Sequence, residues 1–93
     1  MNNYEGLFII KPDLAEADAG NLVKAIGDTL TKNKASVKKE ENWGKRQLTY
    51  PIKKFREGMY YKVEFQSSPE AVSKLREAYA LTPEILRIMI TKR

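Results

Sequence analysis

Read in order, this chain gives a strand-like run, a helical apolar stripe, two further strand-like stretches, a second helical stripe and a last alternating strand. That order predicts an α+β fold, a ferredoxin-like split βαβ sandwich (β-α-β-β-α-β). Two further observations favour it. Each half of the chain is a strand–helix–strand unit of similar length, and Pro51 removes a ladder donor at the end of the second strand, as at a sheet edge. The expected architecture is one domain, residues 1–93, with a four-stranded antiparallel sheet and both helices on one face. The first and third strands belong at its centre, the second and fourth at its edges, and the opposite sheet face carries no helix.

Residues 4–11 are aromatic and β-branched and end at Pro12, so they read as the first strand; the unbroken apolar run 7–10 suits a covered interior position. A helix is expected from Asp13, with Glu16 three residues on as a capping-box variant. Its apolar stripe is Ala15, Ala19, Leu22, Val23, Ile26 and Leu30. Gly20 and Gly27 each weaken it by ~1 kcal/mol relative to alanine, and the polar cluster 31–34 ends it. Residues 35–50 read as a long polar second strand with a bulge or bend at Gly44. The connecting loop is expected over 52–57, closed by Gly58.

In the third strand, 59–66, Met59, Tyr61, Val63 and Phe65 alternate with Tyr60, Lys62, Glu64 and Gln66. Ser68 caps the second helix with Pro69 at its first position, and Ala71, Val72, Leu75, Ala78 and Tyr79 face inward. Pro83 blocks continuation. Over 85–91, Leu86, Ile88 and Ile90 alternate with Arg87, Met89 and Thr91 in the fourth strand.

Charge is the second signal. Residues 34–62 hold nine Lys or Arg against three acids, whereas the rest of the chain is close to neutral, so the formal +5 sits in the middle third. Within 42–56 five cations interleave with Trp43, Tyr50 and Phe55 and no acid appears. Such a segment is a local field for a polyanion, because each neutralised phosphate releases condensed counterions; a solvated, solubilising hairpin has the same composition. The chain lacks cysteine and histidine, which removes disulfides, thiolate chemistry and the commonest bases and transition-metal ligands. No signal-peptide pattern opens the sequence, and no apolar run approaches the roughly 20 residues of a membrane span.

An enzyme finds little to work with. Asp13, Glu16, Asp18 and Asp28 are spread around the first helix, and Glu40 and Glu41 are adjacent in a strand and point to opposite faces. Gly44-Lys45 lacks the remainder of a phosphate loop, and 11–13 is not the phosphate-cradling loop of an acylphosphatase-like hydrolase. No catalytic residue, metal ligand, cofactor or small-molecule substrate is expected. Base stacking on the open sheet face would need an aromatic-rich signature on the third strand, and Glu64 stands there instead. Backbone contact with folded RNA through Lys45, Arg46, Lys53, Lys54 and Arg56, supplemented by Arg87, Lys92 and Arg93, fits better. Trp43 and Tyr50 on a sheet edge either fold back onto the core or anchor a partner, and Tyr4 and Tyr60 pose the same choice. Leu7, Ile9 and Tyr60 on the bare face form an apolar patch that a protein partner would cover.

The opening Tyr4-Glu5, the turn Lys11-Pro12-Asp13 and above all Trp43-Gly44-Lys45-Arg46-Gln47-Leu48-Thr49-Tyr50-Pro51-Ile52 resemble the bacterial ribosomal protein S6 family, protein number six of the small subunit. Arg87-Ile88-Met89-Ile90 followed by Lys92 adds to the likeness, which covers essentially the whole chain. The resemblance implies a ferredoxin-like protein without enzymatic activity, ribosome-associated in the cytoplasm or in an organelle. It implies binding to the central domain of small-subunit ribosomal RNA as a heterodimer with ribosomal protein S18 (number eighteen of the same subunit). Carried over, Tyr4, Lys45, Arg46, Tyr50 and Lys92 would contact RNA or partner. Three departures stand out: Asn2 and Asn3 where many members are basic, Thr49 for a smaller residue, and a chain stopping at Arg93 without the tail some members carry. A protein-only regulatory or oligomerisation module of the same fold is the alternative, though it would usually present a ligand loop that is not visible here.

Overall fold

Alternation sorts the strand residues onto two faces, and the helices cover one of them. The computed structural model describes residues 2–93: β1 (Asn2–Ile10), α1 (Glu16–Lys32), β2 (Ser36–Ile52), β3 (Phe55–Ser67), α2 (Pro69–Ala80) and β4 (Ile85–Lys92). Every neighbouring pair is antiparallel and the order is β2-β3-β1-β4, so β3 and β1 are central and β2 and β4 are the edges. Tyr4, Phe8 and Ile10 of β1 and Tyr61, Val63 and Phe65 of β3 turn to the helix side. There they meet Leu22, Ile26 and Leu30 of α1 and Val72, Leu75 and Tyr79 of α2. Each such large side chain, fully buried, contributes about 1.5–3 kcal/mol. The Tyr79 hydroxyl donates to the Ile26 carbonyl at 2.8 Å and ties the two helices together inside this layer.

The ends of α1 follow from the chain's route. The helix starts at Glu16, not at Asp13, and its N-cap residue Ala15 makes no side-chain cap bond. The Lys11 N–H donates to the Glu84 carbonyl at 3.0 Å, which holds the chain extended up to Pro12. Pro12 and Asp13 then turn, and Leu14 packs on the core before the helix begins. Ala15 is therefore exposed rather than part of the apolar stripe. At the other end Ala35 N–H bonds the Leu30 carbonyl and Lys34 N–H bonds that of Thr31. This is a Schellman closure with Lys34 at φ 63, the position where glycine is usual.

Sequence and structure differ most in the hairpin. Instead of a loop over 52–57, β2 and β3 run on to the pair Ile52↔Phe55, and the turn is Lys53–Lys54 alone. Both lysines have positive φ, 49 and 72, as a two-residue mirror-type turn requires. Gly58 lies within β3 rather than closing a loop. A Cβ there would come within 2.5 Å of Ile9 Cγ2 and 3.6 Å of Leu48 Cδ2, so glycine is what lets the strands pack. Pro51 is accommodated because the pairing skips from Gln47↔Glu57 to Ile52↔Phe55, leaving 48–51 as an unpaired arch. In β4 a register shift at Ile9/Ile10 makes Leu86 the extra residue. Ile85 thereby joins the main core in its place, while Ile88 and Ile90 face inward as expected.

Candidate nucleic-acid and partner interface

Pairing with β1 stops at Ile10↔Met59, whereas β2 and β3 continue together beyond it. The stretch from Lys45 round to Gly58 is thus a two-stranded arm that projects past the sheet. Lys45, Arg46, Lys53, Lys54 and Arg56 lie on it, all exposed, and none forms an ion pair among the described residues. With their charges unquenched, they give the arm a positive surface from base to tip. Tyr50, in the arch, is 77% exposed. Beside the arm's base, Lys45 rims a groove of 580 Å³ between the start of α1 and the sheet, floored by Ile10, Met59 and Tyr61.

The other predicted cations divide. Arg87 pairs with Ile9, at the same end of the sheet as the arm but on the far edge strand, about 14 Å across. Lys92 pairs with Tyr4 at the opposite end, so it does not join the arm. Arg93 is a correction: its guanidinium is bonded to Glu64 and lies 4.0 Å from Glu5, so its charge is spent within the chain.

The bare face has its own order. Between Asn42↔Tyr61 and Gly44↔Tyr60 the register shifts by one, making Trp43 a bulge residue. Gly44 takes φ 77 there, and its N–H is held by Asn42 Oδ1 at 2.9 Å. The bulge lays Trp43 nearly parallel to Tyr60, centroids 6.4 Å apart, with the indole 41% exposed. Arg46 and Lys62 each lie 5.8 Å from the indole centroid, close enough for cation–π attraction. The Lys39 ammonium at 2.9 Å, helped by the indole N–H that donates to Glu41, holds the Glu41 carboxyl below its ordinary pKa. Leu7, Met89 and Thr91 border the same depression, and Lys62 is paired with Glu5.

Two residues expected at a partner surface are not on one. Tyr4 is 7% exposed on the helix-side core, stacked on Phe65 at 5.7 Å, because its parity in β1 is that of Phe8 and Ile10. Ile9 does face the bare side, yet it is 4% exposed: it and Leu48 of the arch converge on the space left by Gly58. Leu7, Trp43, Tyr50 and Tyr60 remain accessible. Sequence reasoning missed the Arg46–Trp43–Lys62 grouping, because a bulge that resets which face Trp43 joins has only Gly44 as its signal.

Among the described residues no three His, Cys, Asp or Glu side chains gather as a metal site, and no helix is long and apolar enough to cross a membrane. A bare aromatic and charged sheet face beside a cationic arm defines a ferredoxin-like protein with one open sheet face and a projecting basic hairpin. The profile of the family described as Ribosomal protein S6 matches residues 3–92. The small ribosomal subunit protein bS6 of Porphyromonas gingivalis is 38% identical over 96% of this chain and 76% of its own length. That of Moorella thermoacetica is 32% identical over 99% and 94%. A crystal structure of 30S ribosomal protein S6 from Thermotoga maritima superposes with a TM-score of 0.93 at 34% identity, covering 99% of this chain and 87% of that one. The chain belongs to the ribosomal protein S6 family. Its relatives are structural proteins of the small ribosomal subunit and not enzymes.

Proposed function

We propose that this protein docks onto small-subunit ribosomal RNA, in its central domain, by phosphate contacts from the projecting arm. Ribosomal protein S18 covers the bare sheet face as its heterodimer partner. The observation that carries the reading is the arm itself, five exposed cations with no carboxylate partner among the described residues, on a ribbon that runs on beyond the last pair with β1. Arg87 extends the same positive surface, and Lys92 supplies a separate contact at the far end. Leu7, Trp43 and Tyr60 offer S18 an apolar centre with the paired charges of Glu5, Lys62, Glu64 and Arg93 around it, and Tyr50, exposed in the arch, is a further contact. Aromatic anchors within a polar rim suit a protein partner. No cofactor or small-molecule substrate enters this reading, and the protein works wherever its ribosomes do, in a bacterial cytoplasm or inside an organelle.

The test is the salt dependence of RNA binding by the S6–S18 pair. Lys45→Ala, Arg46→Ala, Lys53→Ala and Lys54→Ala together should weaken binding across RNA sequences. They should flatten the plot of log affinity against log salt by ~0.9 per lost duplex-phosphate contact, less for irregular RNA. An unchanged slope in a correctly folded quadruple variant overturns the proposal.

A further inference from the structure

The two edges of this sheet are closed in different ways. β2 is interrupted by register shifts at Lys38, Trp43 and the 48–51 arch, carries Pro51 and is rich in lysine, all devices that unfit an edge for pairing. β4 has less: beyond its bulge at Leu86 and the cations Arg87 and Lys92 near its ends, the strand is regular and free of proline, with Ile88 and Ile90 on one face. The phase of this strand can be read directly. The Arg93 N–H bonds the Asn3 carbonyl at 2.9 Å, and the register runs unbroken from Tyr4↔Lys92 to Ile9↔Arg87. Odd-numbered residues of β4 therefore spend their backbone groups on β1, while Ile88, Ile90 and Lys92 turn theirs outward. One of these outward groups is occupied. Arg76, reaching from α2, donates from its guanidinium to the Ile90 carbonyl at 3.0 Å. No carboxylate pairs with Arg76 among the described residues, so its charge is aimed at the strand edge.

We propose that Arg76 is a guard on the β4 edge, and that the occupant it excludes is β4 of a second copy of this chain. An antiparallel neighbour can use only the outward residues, and the register centred on Met89 bonds Ile88 to Ile90 of the other copy and so needs the Ile90 carbonyl of both. In that register Arg87 stands opposite Thr91 and Lys92 opposite Leu86, so no two cations oppose each other. Met89 falls opposite its own counterpart in a non-hydrogen-bonded pair, where Cα atoms are about 4.5 Å apart. Ile88 and Ile90 extend an apolar row across the junction. With the Ile90 carbonyl taken, a neighbouring strand loses a central bond and must displace a charged donor. The free protein thus keeps a pairing-competent edge shut by one side chain.

The test is self-association of the full chain by analytical ultracentrifugation, comparing the parent with Arg76→Ala and Arg76→Gln, the latter polar but too short to reach the carbonyl. Both variants should dimerise at least about tenfold more tightly than the parent. Since the chain has no cysteine, Met89→Cys is a clean reporter. Oxidation should yield a disulfide-linked dimer of Arg76→Ala/Met89→Cys and little from Met89→Cys alone. Variants that fold and remain as monomeric as the parent overturn the proposal, as does association without the Met89→Cys cross-link. Should Arg76→Ala fail to fold, Arg76→Gln decides by the same readings. Loss of the fold in both would assign Arg76 a bracing role and likewise overturn the guard.

Discussion

Gly58 shows how much a single missing side chain can hold. It sits in mid-strand on the bare face, and the space its absent Cβ leaves is filled by Ile9 Cγ2, with Leu48 Cδ2 beside it. Ile9 is 4% exposed and branched at Cβ, so it cannot swing aside as a lysine would. Gly58→Ala should therefore destabilise the protein by about 1–3 kcal/mol, read as a lower urea midpoint, despite alanine's ordinary fitness for a strand. The same substitution frees Ile9 or lifts the arch, and a rise in arm amide exchange would distinguish the latter. In the sequence this glycine reads as the end of a loop, because glycine after a run of charged residues signals a turn more often than a close approach. Tyr4, by contrast, was legible by parity: with Leu7 and Ile9 on the bare face, alternation sends Tyr4 with Phe8 and Ile10 to the helix side, where it stacks on Phe65.

At the scale of elements, the hairpin carries both the prospective RNA contacts and an unfavourable turn. Two lysines occupy left-handed backbone where asparagine and glycine are the usual choice, a conformation that costs L residues roughly 1–2 kcal/mol each. Lys53→Asn with Lys54→Gly should raise arm stability by about 1–2 kcal/mol while lowering RNA affinity and reducing its salt slope. Thermal unfolding and a salt titration read these two effects separately. A gain in stability with unchanged RNA binding would remove the tip from the contact surface. The sandwich, the strand order and the edge positions were legible because alternation, helical stripes and the Ser68-Pro69 cap are local. The length of the arm was not. A two-residue turn built on Lys-Lys has no sequence signature, and Pro51 reads as a strand end until the arch shows where its missing N–H is harmless.

For the whole molecule, the helix layer sets the response to alkali. Burial, with the Glu40 carboxylate adding to it, pushes the Tyr61 phenol up to about 12, and burial raises Tyr79 still further. A folded-state pKa above the unfolded value near 10 means that this contribution is complete below pH ~10 and fades as pH climbs through the folded pKa. The urea midpoint should hold steady from neutrality to pH ~9 and fall between ~10 and ~12. Tyr79→Phe should cost about 1 kcal/mol at neutral pH, through the lost bond to Ile26, and should flatten that alkaline fall.

The bond from Arg93 to Asn3 joins the first strand to the last, and this has a bearing on how the protein is made. At synthesis rates of about 5–20 residues per second, β1 leaves the exit tunnel several seconds before β4 has been translated. β3 follows β1 only late in that interval, so for most of it neither side of β1 has its partner strand. The nascent chain therefore carries a transient sticky seam through the centre of its future sheet, closed on one side by β3 and on the other only once β4 has followed, and truncation before Ile85 would leave a molecule missing that second seal.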